Sequence, residues 1–254
     1  MSNIASFDVG HRSLSICVAT VEHDIKCILN WWIKNNTKLI KTLDQLDELS
    51  LSQAQKVVNT LVNRCYKLVR WFEDSFKIIY MSRIDMFPST SIKNTNVVQR
   101  ARATKSALHQ IDSSVSFDKV LIEDQTINKL SSEVMYQIAY HYSDNEEIDD
   151  YVLVSAHEPI SFKKDKPHQL IIQDPRLKNL ITIGPNLEIG KFYAENTDLY
   201  EANKKHAKAN FEQYISIFGN TELKCSYAKL TRKNSRKGRD VADSFMQLLS
   251  HVIL

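Results

Sequence analysis

Glycine and proline are scarce in this chain, five of each among 254 residues. Usual levels are about 7% and 5%. Their rarity excludes collagen and argues against Pro/Gly-rich disorder, and against sandwiches or barrels rich in tight turns. No run approaches the roughly 18 apolar residues of a membrane-spanning helix. The opening segment, MSNIASFDVG, has neither a basic n-region nor an apolar h-region. A strand-like run starts at Ile4, unlike an Arg-rich transit peptide, which weighs against secretion and against a mitochondrial address. The four cysteines, Cys17, Cys27, Cys65 and Cys225, form no CxxC pair and read as reduced thiols of an intracellular protein.

What is present suits a soluble globular chain, with 43% hydrophobic and 25% charged residues. The expectation is one domain over 1–254, large enough to bury a full core without staples. Net charge is only +3, from 33 basic and 30 acidic residues, but the distribution is uneven. From Lys224 to Arg239 there are seven basic residues and no acid, whereas Asp144–Asp150 holds five acids in seven positions.

Hydrophobic periodicity sets out the elements. Ile4–Val9, Leu14–Val21 and Lys26–Ile33 are short apolar runs with hairpin-sized breaks, which predicts a three-stranded antiparallel meander. Residues 35–50 are polar and carry no clear period. From Leu51 to about residue 75 the spacing is helical, and its apolar residues lie nearly all round, as in a deeply buried helix or an interface. Lys77–Tyr80 is ambiguous. Val97–Ile111 reads as a helix, Lys119–Ile122 as a strand, Ser131–Tyr142 as a helix and Tyr151–Ser155 as a strand. Leu199–Phe218 and Asp240–Leu254 read as helices, with the basic run between them as a loop. Trp31, Trp32 and Trp71 read as core or interface. The fold class expected is α/β, a mixed five-stranded sheet (antiparallel meander plus two parallel strands) flanked by helices. Insertions are expected at about 35–115, helical, and 157–198, irregular.

Four acids fall at element ends. Asp8 ends the first strand, Glu123 ends the fourth, and Asp240 and Asp243 open the last helix on one face. A carboxylate at a strand edge is costly to bury without a partner or an ion. Singly, each has an ordinary explanation: helix-start acids complement the dipole, Asp8 precedes a turn at Gly10, and Glu123 is followed by Asp124. Converging, they would form a hard-oxygen site for Mg²⁺ or Mn²⁺.

The segments FDVGHRSLSICVA, VLIEDQ, YEANKKHAKANF and KGRDVADSF, in this order, resemble the RuvC-type Holliday-junction resolvases. The likeness is to the enzymes of poxviruses and other large DNA viruses above all, and next to those of fungal mitochondria. It spans nearly the whole chain and implies a ribonuclease-H-like fold. It implies Asp8, Glu123, Asp240 and Asp243 as catalytic and metal-binding acids, with Gly10 and Gln125 supporting. It places Lys204 or Lys205 near the scissile phosphate. The chain departs from the shorter viral enzymes in its inserted helices, in 157–198 and in His11-Arg12-Ser13 after Gly10.

Phosphodiester hydrolysis needs an activated water, a stabilised pentacovalent phosphate and a stabilised leaving oxygen. Two divalent ions about 3.5–4 Å apart supply all three. The resemblance therefore implies a Mg²⁺-dependent endonuclease, with Mn²⁺ as a substitute, two ions per site and 5′-phosphate products. Its substrate would be four-way-junction or branched DNA in recombination, repair or viral genome processing, in an infected cell if the origin is viral. Phosphate contacts are expected from Arg232, Lys233, Arg236, Lys237, Arg239 and Lys208, and from Arg100, Arg102 and Lys105 on the second helix. A homodimer would present two sites to the two-fold-symmetric junction, with no membrane involved. Ribonuclease H activity on RNA–DNA hybrids and non-catalytic binding of branched DNA are the alternatives. An actin-like ATPase would need a second Gly-rich loop, which the sequence lacks.

Overall fold

A computed structural model describes residues 1–43, 45, 48–88, 92–125, 128–143, 150–155, 199–232 and 236–253. The irregular segment 157–198 and most of the acidic stretch, 144–149, lie outside the described residues.

The first hairpin is β1 (Ser2–Val9) with β2 (Ser13–Val21), paired antiparallel from Ser2↔Val21 to Val9↔Leu14. Its turn closes where the Gly10 amide donates to the Ser13 carbonyl at 3.1 Å. A Cβ on Gly10 would lie 2.9 Å from that same oxygen, so the turn requires the missing side chain.

The third strand is not Lys26–Ile33. That run belongs to helix α1 (Ile25–Leu43), which also covers much of the stretch without clear period. Its apolar residues recur at helical spacing, and Ile25 and Leu29 pack on the core. Helix α2 (Leu51–Ser75) follows, opened by a capping box of Ser50 and Gln53. The strand that completes the meander is β3 (Phe76–Asp85), paired with β2 from Val21↔Phe76 to Ser13↔Asp85 with a bulge at Val18/Ala19. The ambiguous run Lys77–Tyr80 lies inside it. Trp31 is 64% exposed, so the core reading of that tryptophan is wrong, while Trp71 packs against the core.

Helix α3 (Val97–Asp112) starts at a capping box of Asn96 and Gln99 and leads to β4 (Lys119–Asp124), parallel to β1. Helix α4 (Lys129–Ser143) then leads to β5 (Asp150–Ser155), parallel to β4. The strands pair in the order β3-β2-β1-β4-β5, a mixed sheet. Helix α5 (Leu199–Phe218) is followed by a further helix where a loop is expected. The basic run is not a loop: α6 (Thr221–Thr231) occupies its first half, capped by the Asn220 side chain, which accepts from the Leu223 amide at 2.8 Å. Leu223, Tyr227 and Leu230, spaced i, i+4, i+7, pack that helix onto the core. Helix α7 (Arg236–Ile253) starts four residues before Asp240, so the acidic pair lies inside the helix instead of opening it. At Gly238 a Cβ would meet Tyr227 Oη at 2.8 Å and Thr231 Cγ2 at 2.9 Å, so glycine lets α6 approach α7.

Strand alternation divides the core between the two sheet faces. Phe7, Val9, Leu14, Ile16 and Ile122 pack on one side with residues of α3 and α4, with Phe7, Phe117 and Tyr142 in mutual ring contact. Ile4, Cys17, Phe76 and Leu121 pack on the other with residues of α5, α6 and α7, where Phe76, Tyr214 and Phe245 meet. Helices α3 and α4 are tied at both ends. Arg100 reaches Glu133 through Nε at 2.7 Å and Nη2 at 3.1 Å, and Asp112 receives Tyr142 Oη at 3.0 Å and faces His141 Nε2 at 2.8 Å. Arg100→Ala is expected to cost about 1.5–3 kcal/mol, the range for hydrogen bonds to charged groups, read as a lower denaturation midpoint. Unchanged stability with weakened DNA affinity would instead make Arg100 a phosphate ligand.

Cys17, Cys27 and Cys225 are free thiols. Among the described residues no helix is long and apolar enough to cross a membrane.

Candidate active site

The register brings the acids together. Ile4, Ser6 and Asp8 alternate onto the face covered by α7, and β4 runs parallel with Phe7↔Ile122. The same offset continued by one residue sets Asp8 beside Glu123 at the carboxyl ends of adjacent strands. On its other side Asp8 pairs with Ser15, and Ser15 with Arg83. A polar row therefore crosses the sheet from Arg83 through Ser15 and Asp8 to Glu123, bounded by apolar residues.

Helix α7 crosses over this row. Asp240, Asp243 and Gln247 are spaced i, i+3, i+7 and share one face. Gln247 anchors it, its Oε1 accepting from Ser6 Oγ at 3.2 Å. Carboxylate oxygens of Asp8, Asp240 and Asp243 all lie within 4.8 Å of one another. Glu123 is buried, and its Oε2 accepts from the Val9 amide at 2.9 Å, which orients the carboxylate beside Asp8.

Two cations hold this cluster. Lys204 on α5 pairs with Asp243, and the two side chains are only 14% and 5% exposed. Lys205 is exposed, so of the two lysines Lys204 is the one brought to the acids. Arg83 donates through Nε to Asp240 at 2.6 Å and pairs through Nη1 with Asp85, which also receives Lys237 Nζ at 2.8 Å.

The electrostatics are those of crowded carboxylates. Burial, then the charges of Glu123 and Asp243, hold the Asp8 carboxyl well above its ordinary range, against the pull of Lys204. Burial pushes Asp243 up to about 6, with Lys204 opposing and Asp240 and Glu123 adding to the rise. Burial acts against the charged forms of Asp85 and Arg83, yet ion pairing prevails: Lys237 and Arg83 hold Asp85 below its usual value, and Asp240 and Asp85 hold Arg83 above its own.

This donor set fits a divalent cation. It is built from hard carboxylate oxygens, its like charges destabilise one another, and Ser15 Oγ lies buried in the same row with no hydrogen-bond partner among the described residues. Arg83→Gln leaves Asp240 without that partner and is expected to lower the stability of the metal-free protein by about 1–3 kcal/mol. Added Mg²⁺ should recover most of the loss. A thermal melt with and without Mg²⁺ reads this, and an equal loss in both would remove Arg83 from the charge balance of the site.

The other expected site residues are placed as follows. Gly10 forms the turn after Asp8. The Gln125 backbone is held toward α4, its N–H donating to Met135 Sδ at 3.3 Å and its main-chain carbonyl accepting from Ser132 Oγ. Arg239 is partly buried on α7, Arg232 is exposed at the end of α6, and Lys208 forms an i,i+4 pair with Glu212 at 3.6 Å. Lys233 lies outside the described residues, and Arg236 begins α7. Arg102 and Lys105 are exposed on α3, which packs on the sheet face opposite α7, so they are not brought to the acids; Arg100 is bound to Glu133 and to the Thr95 carbonyl at 2.6 Å. Arg83 and Asp85 were not among the expected residues. Alternation along FKIIYMSRID places Met81, Arg83 and Asp85 on one face once the strand is recognised. Their approach to a helix more than 150 positions later is a tertiary fact.

No family model and no curated protein matches this chain. Among solved structures it is similar to the fowlpox virus resolvase, described in complex with its substrate Holliday junction DNA. The two share 14% identity and a TM-score of 0.47, over 98% of this chain and 96% of that one.

Proposed function

We propose that this protein is a structure-selective endodeoxyribonuclease that resolves Holliday junctions and other branched DNA. The observation that carries the reading is the meeting of Asp8, Asp240 and Asp243 within 4.8 Å, beside Glu123 and capped by Lys204. The motif order FDVG, VLIEDQ, KKHAK, RDVADSF, which resembles the junction resolvases, supplies the substrate class.

Asp8, Glu123, Asp240 and Asp243 would hold two divalent ions, Mg²⁺ or Mn²⁺, whose chemistry is Lewis-acid activation and charge stabilisation in phosphodiester hydrolysis. The chain's own residues do the rest. The Val9 amide fixes the Glu123 carboxylate, and Arg83 fixes that of Asp240. Lys204 Nζ, drawn into a mostly buried position, offers positive charge to the phosphate oxygens as negative charge grows on them. Lys237 and Arg239, on the first turn of α7, stand where flanking phosphates would approach. Cleavage leaves 5′-phosphate and 3′-hydroxyl ends. A homodimer makes the two matched cuts, and the described elements act as one domain.

The test compares a labelled four-way junction, a linear duplex and an RNA–DNA hybrid, each with Mg²⁺ and with a chelator. Paired Mg²⁺-dependent nicks in the junction that leave ligatable duplexes support the proposal. Cutting confined to the hybrid would make the protein a ribonuclease H, and binding without cutting would make it a branched-DNA-binding protein.

A further inference from the structure

We propose that the hairpin of α1 and α2 is a second polyanion-binding surface, remote from the carboxylates, which grips the phosphate backbone of a nucleic-acid duplex. The identity of the polyanion rests on the nuclease reading; the surface itself does not.

Its position follows from the register. The hairpin leaves the sheet after Val21 and returns at Phe76, and these two residues are paired. The acids stand at the other end, level with Ser15. Six residue steps along the strand lead from Ser15 to Val21, about 20 Å at roughly 3.3 Å each. A duplex seated on the hairpin would thus be held well away from the reacting phosphate.

Along the bodies of the two helices its charge is of one sign, the acids being confined to the ends and the connection: Glu22 and Asp24 before α1, Asp44, Asp47 and Glu48 between the helices, and Glu73 and Asp74 at the close of α2. Helix α1 carries Lys26, Lys34, Lys38 and Lys41 and no acid. Helix α2 carries Lys56, Arg64, Lys67 and Arg70, and no acid before Glu73. All eight cations are exposed, and none forms an ion pair among the described residues. Solvated helix faces ordinarily interleave the two signs at i,i+4. Here Lys34 and Lys38, and Lys67 and Arg70, stand at spacings that set like charges side by side, where they repel. A row of phosphates relieves that repulsion and releases its own counterions in doing so.

The faces are also separated. In α1 the buried side is Ile25, Leu29 and Asn36; Lys34, Lys38 and Lys41 lie opposite, and Lys26 lies to one side. Asn36 is 4% exposed and receives Arg64 Nη1 at 2.6 Å, a polar contact that sets the two helices against each other. A helix lying on a lipid surface needs a contiguous free apolar face. That face of α1 is already used by the core and by α2. The exposed Trp31 and Ile33 are two positions apart and so point to different sides. Trp31 lies three residues before Lys34, where an aromatic ring can pack on sugar or base beside a bound phosphate.

The test uses the full chain in chelator, so that cutting plays no part. Lys26, Lys34, Lys38 and Lys41 are all replaced by Gln, which keeps helix propensity, and helicity is checked by circular dichroism. Affinity for a fluorescent linear duplex is measured by anisotropy across a salt series. The expected result is at least about tenfold weaker binding at low salt and a log–log salt slope lower by about 2–4, near 0.9 for each phosphate no longer neutralised. If that variant misfolds, Lys56, Lys67 and Arg70→Gln is the second test, leaving Arg64 on Asn36. A folded variant with unchanged affinity and slope overturns the proposal, as does a wild type that does not bind duplex. So does a loss of binding confined to phosphatidylserine vesicles, which would make the hairpin a lipid-facing surface. A wild type that binds duplex through these lysines yet cuts no junction sinks the nuclease reading and leaves this surface standing. A wild type that cuts junctions while the variant binds duplex unchanged does the reverse.

Discussion

Asp8→Asn is expected to abolish cutting while making the metal-free protein more stable. The carboxylate stands in the middle of the polar row, next to Glu123 and within 4.8 Å of Asp240 and Asp243. Removing a single oriented group that stabilises transition-state charge commonly costs about 10²–10³-fold. Loss of the carboxylate shared by the whole cluster should cost at least that. The stability change has the opposite sign. Burial and two neighbouring acids disfavour the Asp8 charge, so a neutral isostere relieves repulsion. The unfolding midpoint should rise by about 2–4 °C, the equivalent of about 1 kcal/mol in a chain of this size.

The pH dependence follows from the direction of the shifts. A carboxyl whose folded-state value is raised binds more protons folded than unfolded, so its ionisation withdraws stability as pH rises. For Asp243 the window opens near the ordinary 3.8 and closes above about 6. The thermal gain of Asp8→Asn over wild type should therefore be larger at neutral pH than near pH 4. Divalent cation should stabilise the wild type and do little for the variant. Equal gains at both pH values, or equal stabilisation by Mg²⁺, would separate Asp8 from the metal-binding cluster.

Lys204→Ala should lose cutting where Lys205→Ala retains it. Lys204 is the partner of Asp243 in a mostly buried pair, whereas Lys205 is exposed on the same helix. Loss of a positive group that stabilises charge on the phosphate is expected to cost about 10²–10³-fold in rate at saturating junction, and Lys205→Ala only a few-fold. The lysine also lowers the Asp243 carboxyl against the effect of burial. Without it that carboxyl rises further and stays protonated to higher pH. Residual cutting by Lys204→Ala should therefore increase more steeply from pH 6.5 to 8.5 than that of wild type. A parallel pH profile with a large drop in rate would confine Lys204 to the phosphate. Equal losses for the two lysines would remove the distinction that burial draws between them.

The chemistry of the site is legible along the chain because it is carried by residue types that physics seldom leaves at strand ends without cause. Asp8 before a glycine turn, Glu123 at the end of an apolar run and Asp240/Asp243 at helical spacing each have local signatures. So do the strong strands β1, β2 and β4 and the long periodic helices, whose side-chain period is a property of consecutive residues.

Four matters are settled only in the folded chain. Lys26–Ile33 is compatible with strand or helix by composition, and it is helix because Ile25 and Leu29 pack on the core at i, i+4. The third strand then has to come from Phe76–Asp85, whose pairing with β2 is long-range and leaves no trace within its own ten residues. The first half of the basic run is a helix because Leu223, Tyr227 and Leu230 find a core to pack on and Gly238 lets α7 come close, both of them contacts between segments. Arg83 is the clearest case. Its charge is ordinary in the sequence, and its meeting with Asp240 exists only because α7 crosses the sheet at the level of Ser15 and Asp8. Periodicity and residue chemistry are local and can be read along the chain. The choice between Lys204 and Lys205, and the partners of each acid, depend on pairings between distant segments, which packing of the two sheet faces decides.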